Sequence, residues 1–256
     1  MKLKGIVICG AGGRMGRMVA EAALTAQIPI LGGLENSKYA GMGSALGSGS
    51  IAANLESLRL PGKGVVAVEF TTPGALAGLL PALVRRKIAL VSGTTGITQK
   101  LRLSLKAASK RIPILRAGNF SRGVALMRKA IEALGAVMPR DFDVEIVEAH
   151  HSRKMDAPSG TALDLYASLK SVRPELSAAF RPWGNSLRGP GSVGIHSVRG
   201  GTLPGEHTVY FLGPSESLRI SHVAESREAF ARGAVAAAKF LASRKPGLYS
   251  AQDIYA

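Results

Sequence analysis

Short apolar runs alternate with amphipathic segments through the first half of the chain. The runs are rich in Val, Ile and Leu and cover 5–9, 28–34, 65–68, 88–91 and 112–115. Such runs are typical of strands that are buried on both faces. Helical spacing of apolar residues follows the first run and recurs at 73–84 and 99–110. The alternation predicts an α/β fold with a Rossmann-like, doubly wound parallel sheet.

The pattern changes after residue 121. A helix is predicted over 124–138, and 142–149 alternates, with Phe142, Val144 and Ile146 on one face. Three further strands, which we interpret as consecutive and antiparallel, are predicted at 194–198, 207–212 and 218–223. Together they indicate a second, α+β part of the chain.

Two other segments complete the expected element order. The region 38–50 is rich in Gly and Ser and is predicted as loop. Ser226 is a candidate N-cap for a final helix that ends near residue 243.

Composition narrows the class of protein. The chain has 256 residues, of which 46% are hydrophobic and 20% charged, so it can bury a core. No apolar run approaches the roughly 18 residues of a membrane-spanning helix or forms a signal-peptide core. The single cysteine, Cys9, suits a reducing compartment. We therefore expect a cytoplasmic protein without a membrane partner.

Charge is the unusual feature of the composition. There are 33 Lys and Arg against 17 Asp and Glu, which gives a formal net charge of +16. This excess favours anionic partners and by itself leaves nucleic acid, a membrane surface or a small acidic substrate open. Aromatic residues make up only 5%, and the cations are spread along the chain rather than clustered. We therefore expect no nucleic-acid partner.

A glycine-rich turn separates the first predicted strand from the first predicted helix. Gly10, Gly12, Gly13 and Gly16 allow a tight turn and close approach of a pyrophosphate to a helix N-terminus. Glu35 ends the second strand, at the place of a carboxylate that hydrogen-bonds a ribose. The spacing is G-x-x-G-x-x-G rather than the strict fingerprint, so a tight turn that binds nothing is the alternative.

The cofactor that this turn predicts is NADH or NADPH. Asn36 follows Glu35, whereas a ribose 2′-phosphate usually has an arginine nearby. Arg14 and Lys38 could take that role, so both dinucleotides remain open. Gly93-Thr94-Thr95 and Gly118-Asn119-Phe120 follow two other strands and are expected either to line the nicotinamide or to be ordinary loops.

Adjacent histidines end the strand predicted over 142–149. His150 and His151 are followed by Lys154 and by a Pro-Ser-Gly-Thr turn that starts a helix, with Ser159 or Thr161 as its cap. Histidine can exchange a proton near neutral pH, and lysine can bind a carboxylate or donate a proton. The alternatives are a solvated basic cluster or a metal pair, of which zinc is disfavoured because no third ligand has suitable local spacing.

These motifs together resemble the dihydrodipicolinate reductase family of lysine and diaminopimelate biosynthesis. The most specific part is Glu148-Ala149-His150-His151, Lys154 and Asp156 to Ala162. Supporting parts are Gly13 to Gly16, Phe70-Thr71, Gly93 to Gly96, Asn119 to Ser121, Arg199-Gly200-Gly201 and Gly205 to Thr208. The resemblance covers essentially the whole chain.

The resemblance implies NAD(P)H-dependent reduction of 4-hydroxy-tetrahydrodipicolinate, a cyclic dicarboxylate, to tetrahydrodipicolinate with loss of water. It implies His150 as catalytic proton donor and acceptor, Lys154 as proton donor and substrate ligand, and His151, Ser159, Gly160 and Thr161 as substrate-binding residues. The cofactor contacts would be Gly10, Ala11, Gly12, Gly13, Arg14, Met15, Glu35, Gly93, Thr94, Thr95, Ala117, Gly118, Asn119 and Phe120.

The resemblance also implies an organisation. The dinucleotide-binding domain would comprise 1–121 and 231–256. The inserted domain, 122–230, would bind substrate and build a homotetramer through an open mixed sheet. A related reductase that acts on another imine or dicarboxylate is the remaining alternative.

Overall fold

The chain divides into two compact units. The computed structural model describes residues 2–180 and 185–255. Unit 1 consists of Met1–Phe120 and Arg227–Ala256, and unit 2 consists of Ser121–Ser226. Unit 2 is therefore inserted in the sequence of unit 1.

Unit 1 is built on an eight-stranded sheet. Its strands are β1 (Gly5–Cys9), β2 (Ile30–Leu34), β3 (Ala45–Leu46), β4 (Gly49–Ala52), β5 (Val65–Glu69), β6 (Ala89–Ser92), β7 (Pro113–Arg116) and β13 (Gly247–Tyr249). They lie in the order β13-β7-β6-β5-β1-β2-β4-β3. Neighbouring strands are parallel except for the short β3–β4 pair.

Helices pack on both faces of this sheet. They are α1 (Arg14–Thr25), α2 (Pro73–Arg85), α3 (Gln99–Ser109) and α6 (Glu228–Leu241). Alternate residues of β1 enter different cores: Ile6 and Ile8 join the core that includes α1 and α6, whereas Val7 and Cys9 join the core that includes α2 and α3. Burial on both faces explains the continuous apolar runs and confirms the doubly wound prediction.

The strand order places a topological switch point beside β1. The chain continues from β1 to β2 on one side, and β5 lies on the other side. In open parallel sheets, ligands bind outside the carboxyl ends of the strands at such a point. The glycine turn after Cys9 lies at that end of the sheet.

Two local predictions for unit 1 were wrong. The segment 38–50 is not all loop, because it contains β3 and the start of β4, which pairs with β2 over only two register positions. Strands this short give too few residues for a pattern to develop. The final helix begins at Glu228 with Arg227 rather than Ser226 at the N-cap, and it has no side-chain cap.

Unit 2 combines a five-stranded sheet with two helices. Its strands are β8 (Asp143–His150), β9 (Ser177–Phe180), β10 (Ser192–Arg199), β11 (Glu206–Leu212) and β12 (Ser217–Val223), in the order β12-β11-β8-β10-β9. The helices are α4 (Arg122–Val137) and α5 (Gly160–Val172). Strand β8 alternates as predicted, with Val144 and Ile146 in the core.

The sheet of unit 2 is mixed rather than a run of antiparallel strands. β11 is antiparallel to β12 and β8, but β10 is parallel to both β8 and β9. The Gly200-Gly201 turn therefore does not close a hairpin, since β8 lies between β10 and β11. Turn residues between two strands do not determine which strand each one pairs with. The open mixed sheet implied by the family resemblance is confirmed.

Candidate functional site

The glycine turn of unit 1 brings the first strand close to the first helix. Gly10 has φ +82°, a left-handed conformation that glycine adopts without strain. A Cβ on Gly16 would lie 2.1 Å from the Gly10 carbonyl oxygen, so a side chain there would force the strand end and helix apart. Gly13 is the N-cap of α1 and offers no side-chain cap, so the first-turn N–H groups are suited to an anion.

The predicted ribose-binding carboxylate is hydrogen-bonded to this turn. Glu35 accepts hydrogen bonds from the backbone N–H of Gly12 and of Asn36, each at 3.0 Å. The acid and the glycine turn, 23 residues apart in sequence, therefore lie together at the carboxyl ends of β1 and β2.

The other predicted cofactor loops follow neighbouring strands of the same sheet. Gly93 to Thr95 follow β6, and Ala117 to Phe120 follow β7. Thr95 and Gly118 are exposed, whereas Phe120 is buried with its ring edge-on to Phe70 at a centroid distance of 5.6 Å.

Sequence reasoning missed Glu69 at the end of β5. Its carboxylate is fully buried and accepts hydrogen bonds from Thr94 Oγ1 at 2.6 Å and Ser92 Oγ at 2.7 Å. Thr94 is also buried, and its hydroxyl points at Glu69. The signal was present: an acidic residue ends an otherwise apolar run, as Glu35 does.

We predict that Gly16→Ala weakens dinucleotide binding and destabilises the protein by roughly 1–3 kcal/mol, because the added methyl group overlaps the Gly10 carbonyl. Fluorescence titration with NADH and thermal denaturation measure the two effects. The matched control is Gly78→Ala in α2, where a Cβ has no neighbour within 4 Å. Wild-type affinity and Tm in Gly16→Ala would contradict the prediction.

The histidine cluster of unit 2 is built at the carboxyl end of β8. Glu148 and His150 are two residues apart on this strand and therefore point to the same face. On the neighbouring strands, Arg199 is the register partner of His150, and His207 is the register partner of Glu148. Three strands thus bring two histidines, a carboxylate and a guanidinium together.

The buried Glu148 carboxylate organises this cluster. It accepts from His150 Nδ1 at 2.5 Å, from Arg199 at 2.6 and 2.8 Å, and from the Ser159 backbone N–H at 3.1 Å. Burial by itself raises the pKa of Glu148, but the hydrogen bonds from His150, Arg199, Ser197 and Ser159 outweigh it and hold the pKa well below its usual range. Glu148 is therefore ionised at neutral pH, and Nδ1 of His150 carries a proton.

His207 lies against His150 in the interior. The two rings are edge-on, 5.1 Å apart between centroids, and His207 Nε2 is 3.1 Å from Ser159 Oγ. Burial, with a smaller contribution from His150, lowers the pKa of His207 to about 3. His207 is consequently neutral at physiological pH and packs against His150 without adding a charge.

Ser159 connects the cluster to helix α5. Of the two N-cap candidates, Ser159 and Thr161, the structure has Ser159 at this position. Its hydroxyl accepts a hydrogen bond from the Ala162 N–H at 3.2 Å. Its side chain is buried, so this hydroxyl is committed to the cap and His207. Gly160 is exposed, and Thr161 is buried at the first turn.

The other two residues of the histidine–lysine motif, His151 and Lys154, lie in the loop after β8. Lys154 Nζ is 2.8 Å from the Asp156 carboxylate. Partial burial raises the pKa of Asp156, but the hydrogen bond and charge of Lys154, together with backbone hydrogen bonds, outweigh it and lower the pKa. The His151 N–H donates to the Leu203 carbonyl at 2.9 Å. Sequence reasoning included Glu148, Arg199 and His207 in motifs without giving them a role, although the alternation of β8 placed Glu148 beside His150.

We predict that His207→Gln flattens the acid side of the stability profile. Wild-type His207 stays neutral in the folded protein but is protonated below about pH 6.5 in the unfolded chain. Because the unfolded state then binds more protons, the free energy of unfolding decreases as the pH is lowered. One such histidine removes about 2 kcal/mol between pH 7 and pH 5. Urea denaturation at both pH values measures the loss, which should be smaller in the variant; equal losses would contradict the prediction.

Across the described residues, none of the helices combines the length and apolar character needed to cross a membrane.

Residues 4–120 match the family model described as Dihydrodipicolinate reductase, N-terminus, and residues 123–255 match Dihydrodipicolinate reductase, C-terminus.

Curated relatives and solved structures agree with these matches. The 4-hydroxy-tetrahydrodipicolinate reductases of Rubrobacter xylanophilus and Aquifex aeolicus are 40% and 39% identical, each covering 97% of both chains. A dipicolinate-bound dihydrodipicolinate reductase from Paenisporosarcina sp. TG-14 is 25% identical, with TM-score 0.74 and 97% of both chains covered. An amine dehydrogenase from Mycobacterium smegmatis, at 14% identity and TM-score 0.62, shares the fold alone. The chain therefore belongs to the dihydrodipicolinate reductase family.

Proposed function

We propose that this chain is an NAD(P)H-dependent 4-hydroxy-tetrahydrodipicolinate reductase of lysine and diaminopimelate biosynthesis. It reduces 4-hydroxy-tetrahydrodipicolinate to tetrahydrodipicolinate with loss of water. The family match over both halves of the chain supports the reaction. The single structural observation that carries it is the Glu148–His150 pair, which supplies a proton-exchanging group at a strand end.

Unit 1 is the proposed dinucleotide-binding domain. The uncapped N-terminus of α1 and the close Gly10–Gly16 approach fit a pyrophosphate, and Glu35 fits a ribose. The proposed contacts are those named from the sequence, from Gly10 to Met15, Glu35, Gly93 to Thr95 and Ala117 to Phe120. The dinucleotide, when bound, supplies the hydride.

We propose that either NADH or NADPH serves as cofactor. Glu35 accepts a hydrogen bond from the Asn36 backbone, and the Asn36 side chain accepts from the Lys38 N–H at 2.8 Å. A neutral residue after the acid favours NADH at least as well as NADPH, while Arg14 and Lys38 are available to a 2′-phosphate.

Unit 2 is the proposed substrate domain, with His150 as the group that exchanges the proton. Its Nδ1 proton is held by Glu148, so Nε2 is the nitrogen free to give a proton to the substrate or take one from it. Arg199 is bound through two hydrogen bonds to Glu148, which stabilises the carboxylate and so the tautomer of His150.

The substrate carboxylates are proposed to bind at the cations and helix N-terminus beside His150. Lys154 forms an ion pair with Asp156, whose side chain is 58% exposed; such a pair contributes little stability and can exchange for a substrate carboxylate. His151, Gly160, Thr161 and the Ser159 cap complete the proposed anion site at the start of α5. We propose Lys154 as a second proton donor.

We also propose a cytoplasmic homotetramer. One face of the unit 2 sheet exposes apolar side chains, among them Val198, Leu212 and Val223. The register places all three on the face opposite to Glu148 and His150. Light scattering coupled to size exclusion tests this proposal, since a tetramer has four times the 26.6 kDa chain mass.

The decisive experiment is oxidation of NADH and NADPH, assayed in parallel, with substrate freshly made by the preceding synthase. Turnover with either dinucleotide supports the proposed reaction, and the ratio of kcat/KM gives the cofactor preference. Dinucleotide binding without turnover would instead favour a related reductase that acts on another imine or dicarboxylate.

A further inference from the structure

Glu69 is a fully buried carboxylate at the centre of the unit 1 sheet. It is the last residue of β5, and its register partners are Cys9 at the end of β1 and Ser92 at the end of β6. Neither the proposed proton transfer nor the proposed cofactor contacts use it.

In the part of the chain that the structure describes, the groups that donate to this carboxylate are all neutral. Thr71 donates to Oε1 through its N–H at 2.6 Å and through its hydroxyl; Thr94 Oγ1 also donates to Oε1, and Ser92 Oγ donates to Oε2. Within residues 2–180 and 185–255, no cationic side chain forms a hydrogen bond or ion pair with Glu69. Oriented dipoles thus stabilise the negative charge without cancelling it.

The neighbouring thiol adds no second charge. Burial, and then the Glu69 carboxylate itself, raise the pKa of Cys9, which therefore stays protonated. Glu148 provides a contrast, because Arg199 neutralises that buried carboxylate.

The position of Glu69 coincides with the switch point of the sheet. β5 and β1 are the two strands between which the strand order reverses, and ligands of such sheets bind outside their carboxyl ends. The glycine turn follows Cys9, and the loop from Gly93 to Thr95 follows Ser92. Glu69 lies between the starting points of two loops to which we assign cofactor contacts.

An oxidised nicotinamide ring carries a positive charge that the reduced ring lacks. An uncancelled anion in a low-dielectric interior stabilises the charged form selectively. We propose that Glu69 favours the oxidised over the reduced dinucleotide, and so promotes hydride donation, by its negative charge. Glu69 acts through this charge rather than by touching the reacting atoms, and its role rests on the proposed dinucleotide site in unit 1.

The test is the ratio of affinities for oxidised and reduced dinucleotide, measured without substrate by fluorescence and calorimetric titration. Glu69→Gln keeps the shape and removes the charge. We expect it to weaken NAD⁺ binding relative to NADH by roughly tenfold. A purely structural residue would weaken both affinities equally, so an unchanged ratio would overturn the proposal.

Two controls separate charge from packing. Ser92→Ala removes one donor but leaves the carboxylate, so the affinity ratio should stay within about twofold of wild type. Glu69→Asp and Glu69→Asn form a second pair of variants, whose side chains are one methylene shorter and differ from each other in charge. This pair keeps the test valid if Glu69→Gln does not fold. The Asp variant should retain the preference for NAD⁺ that the Asn variant loses; equal ratios would contradict the proposal.

The outcome is distinguishable from failure of the proposed function. A wild-type protein that binds neither dinucleotide would show that the proposed cofactor is wrong, and the role of Glu69 with it. A protein that binds both but does not turn over 4-hydroxy-tetrahydrodipicolinate would disprove the proposed reaction, while the affinity ratios would still decide the role of Glu69.

Discussion

His150→Ala should lower kcat by roughly 10²–10⁴, the usual contribution of a general acid or base. The imidazole is hydrogen-bonded to Glu148 through Nδ1 and packs against the edge of the neutral His207 ring. The position of Nε2 is therefore fixed before substrate binds. Alanine removes the proposed proton-exchanging group. Steady-state NADH oxidation with enzymatically generated substrate measures the loss.

Dinucleotide affinity provides the control for this variant. His150 belongs to unit 2, and the proposed cofactor contacts lie in unit 1, so the Kd for NADH should stay close to wild type. Arg140→Ala, which breaks an exposed ion pair with Glu175 in the same unit, should keep kcat within about twofold. Wild-type turnover in His150→Ala would disprove the assignment of the proton-exchanging group.

Glu148→Ala should destabilise the protein by roughly 3–5 kcal/mol, the range for breaking a buried ion pair from one side. The substitution leaves the Arg199 guanidinium without its carboxylate and the Ser159 N–H without its acceptor. It also frees the His150 ring to rotate, so kcat should fall. Urea denaturation gives the change in the free energy of unfolding.

The acid profile gives a second measurement for Glu148. Its pKa is lowered in the folded protein, so the stability that it contributes is present above its unfolded pKa of about 4.3 and is lost as pH falls below that value. Glu148→Ala should lack this loss. As a matched control, Glu228→Ala breaks an exposed i,i+4 pair with Arg232 and should cost at most about 1 kcal/mol. Equal destabilisation by the two variants would show that the buried network has no special role.

Local pattern predicted the elements that are buried in a regular way. The runs of β1, β5, β6 and β7 are apolar because helices cover both faces, and β8 alternates because helices cover one. The same alternation places Glu148 and His150 on one face. Pattern also placed Glu35 after β2, where it does bond to the glycine turn.

Features that depend on distant partners could not be predicted. Nothing local to β10 shows that β8 rather than β11 pairs with it, because strand pairing is fixed by the whole sheet. The Arg199–Glu148 contact spans 51 residues, and the bonds of Glu69 to Ser92 and Thr94 span 23 and 25. A sequence gives the residue types of these networks but not which of them meet.

The insertion of unit 2 within unit 1 has a consequence for folding during synthesis. Helix α6 supplies Ala231, Ala234, Val235 and Leu241 to the core that covers Ile6 and Ile8, and β13 pairs with β7. At about 5–20 residues per second, the ribosome needs roughly 6–24 s to pass from the end of the first segment of unit 1 to the end of α6. During that interval one face of the first sheet is covered by α1 but lacks α6, and the sequence of unit 2 is complete before α6 has been made. Unit 1 is therefore the part that begins synthesis first and completes its core last.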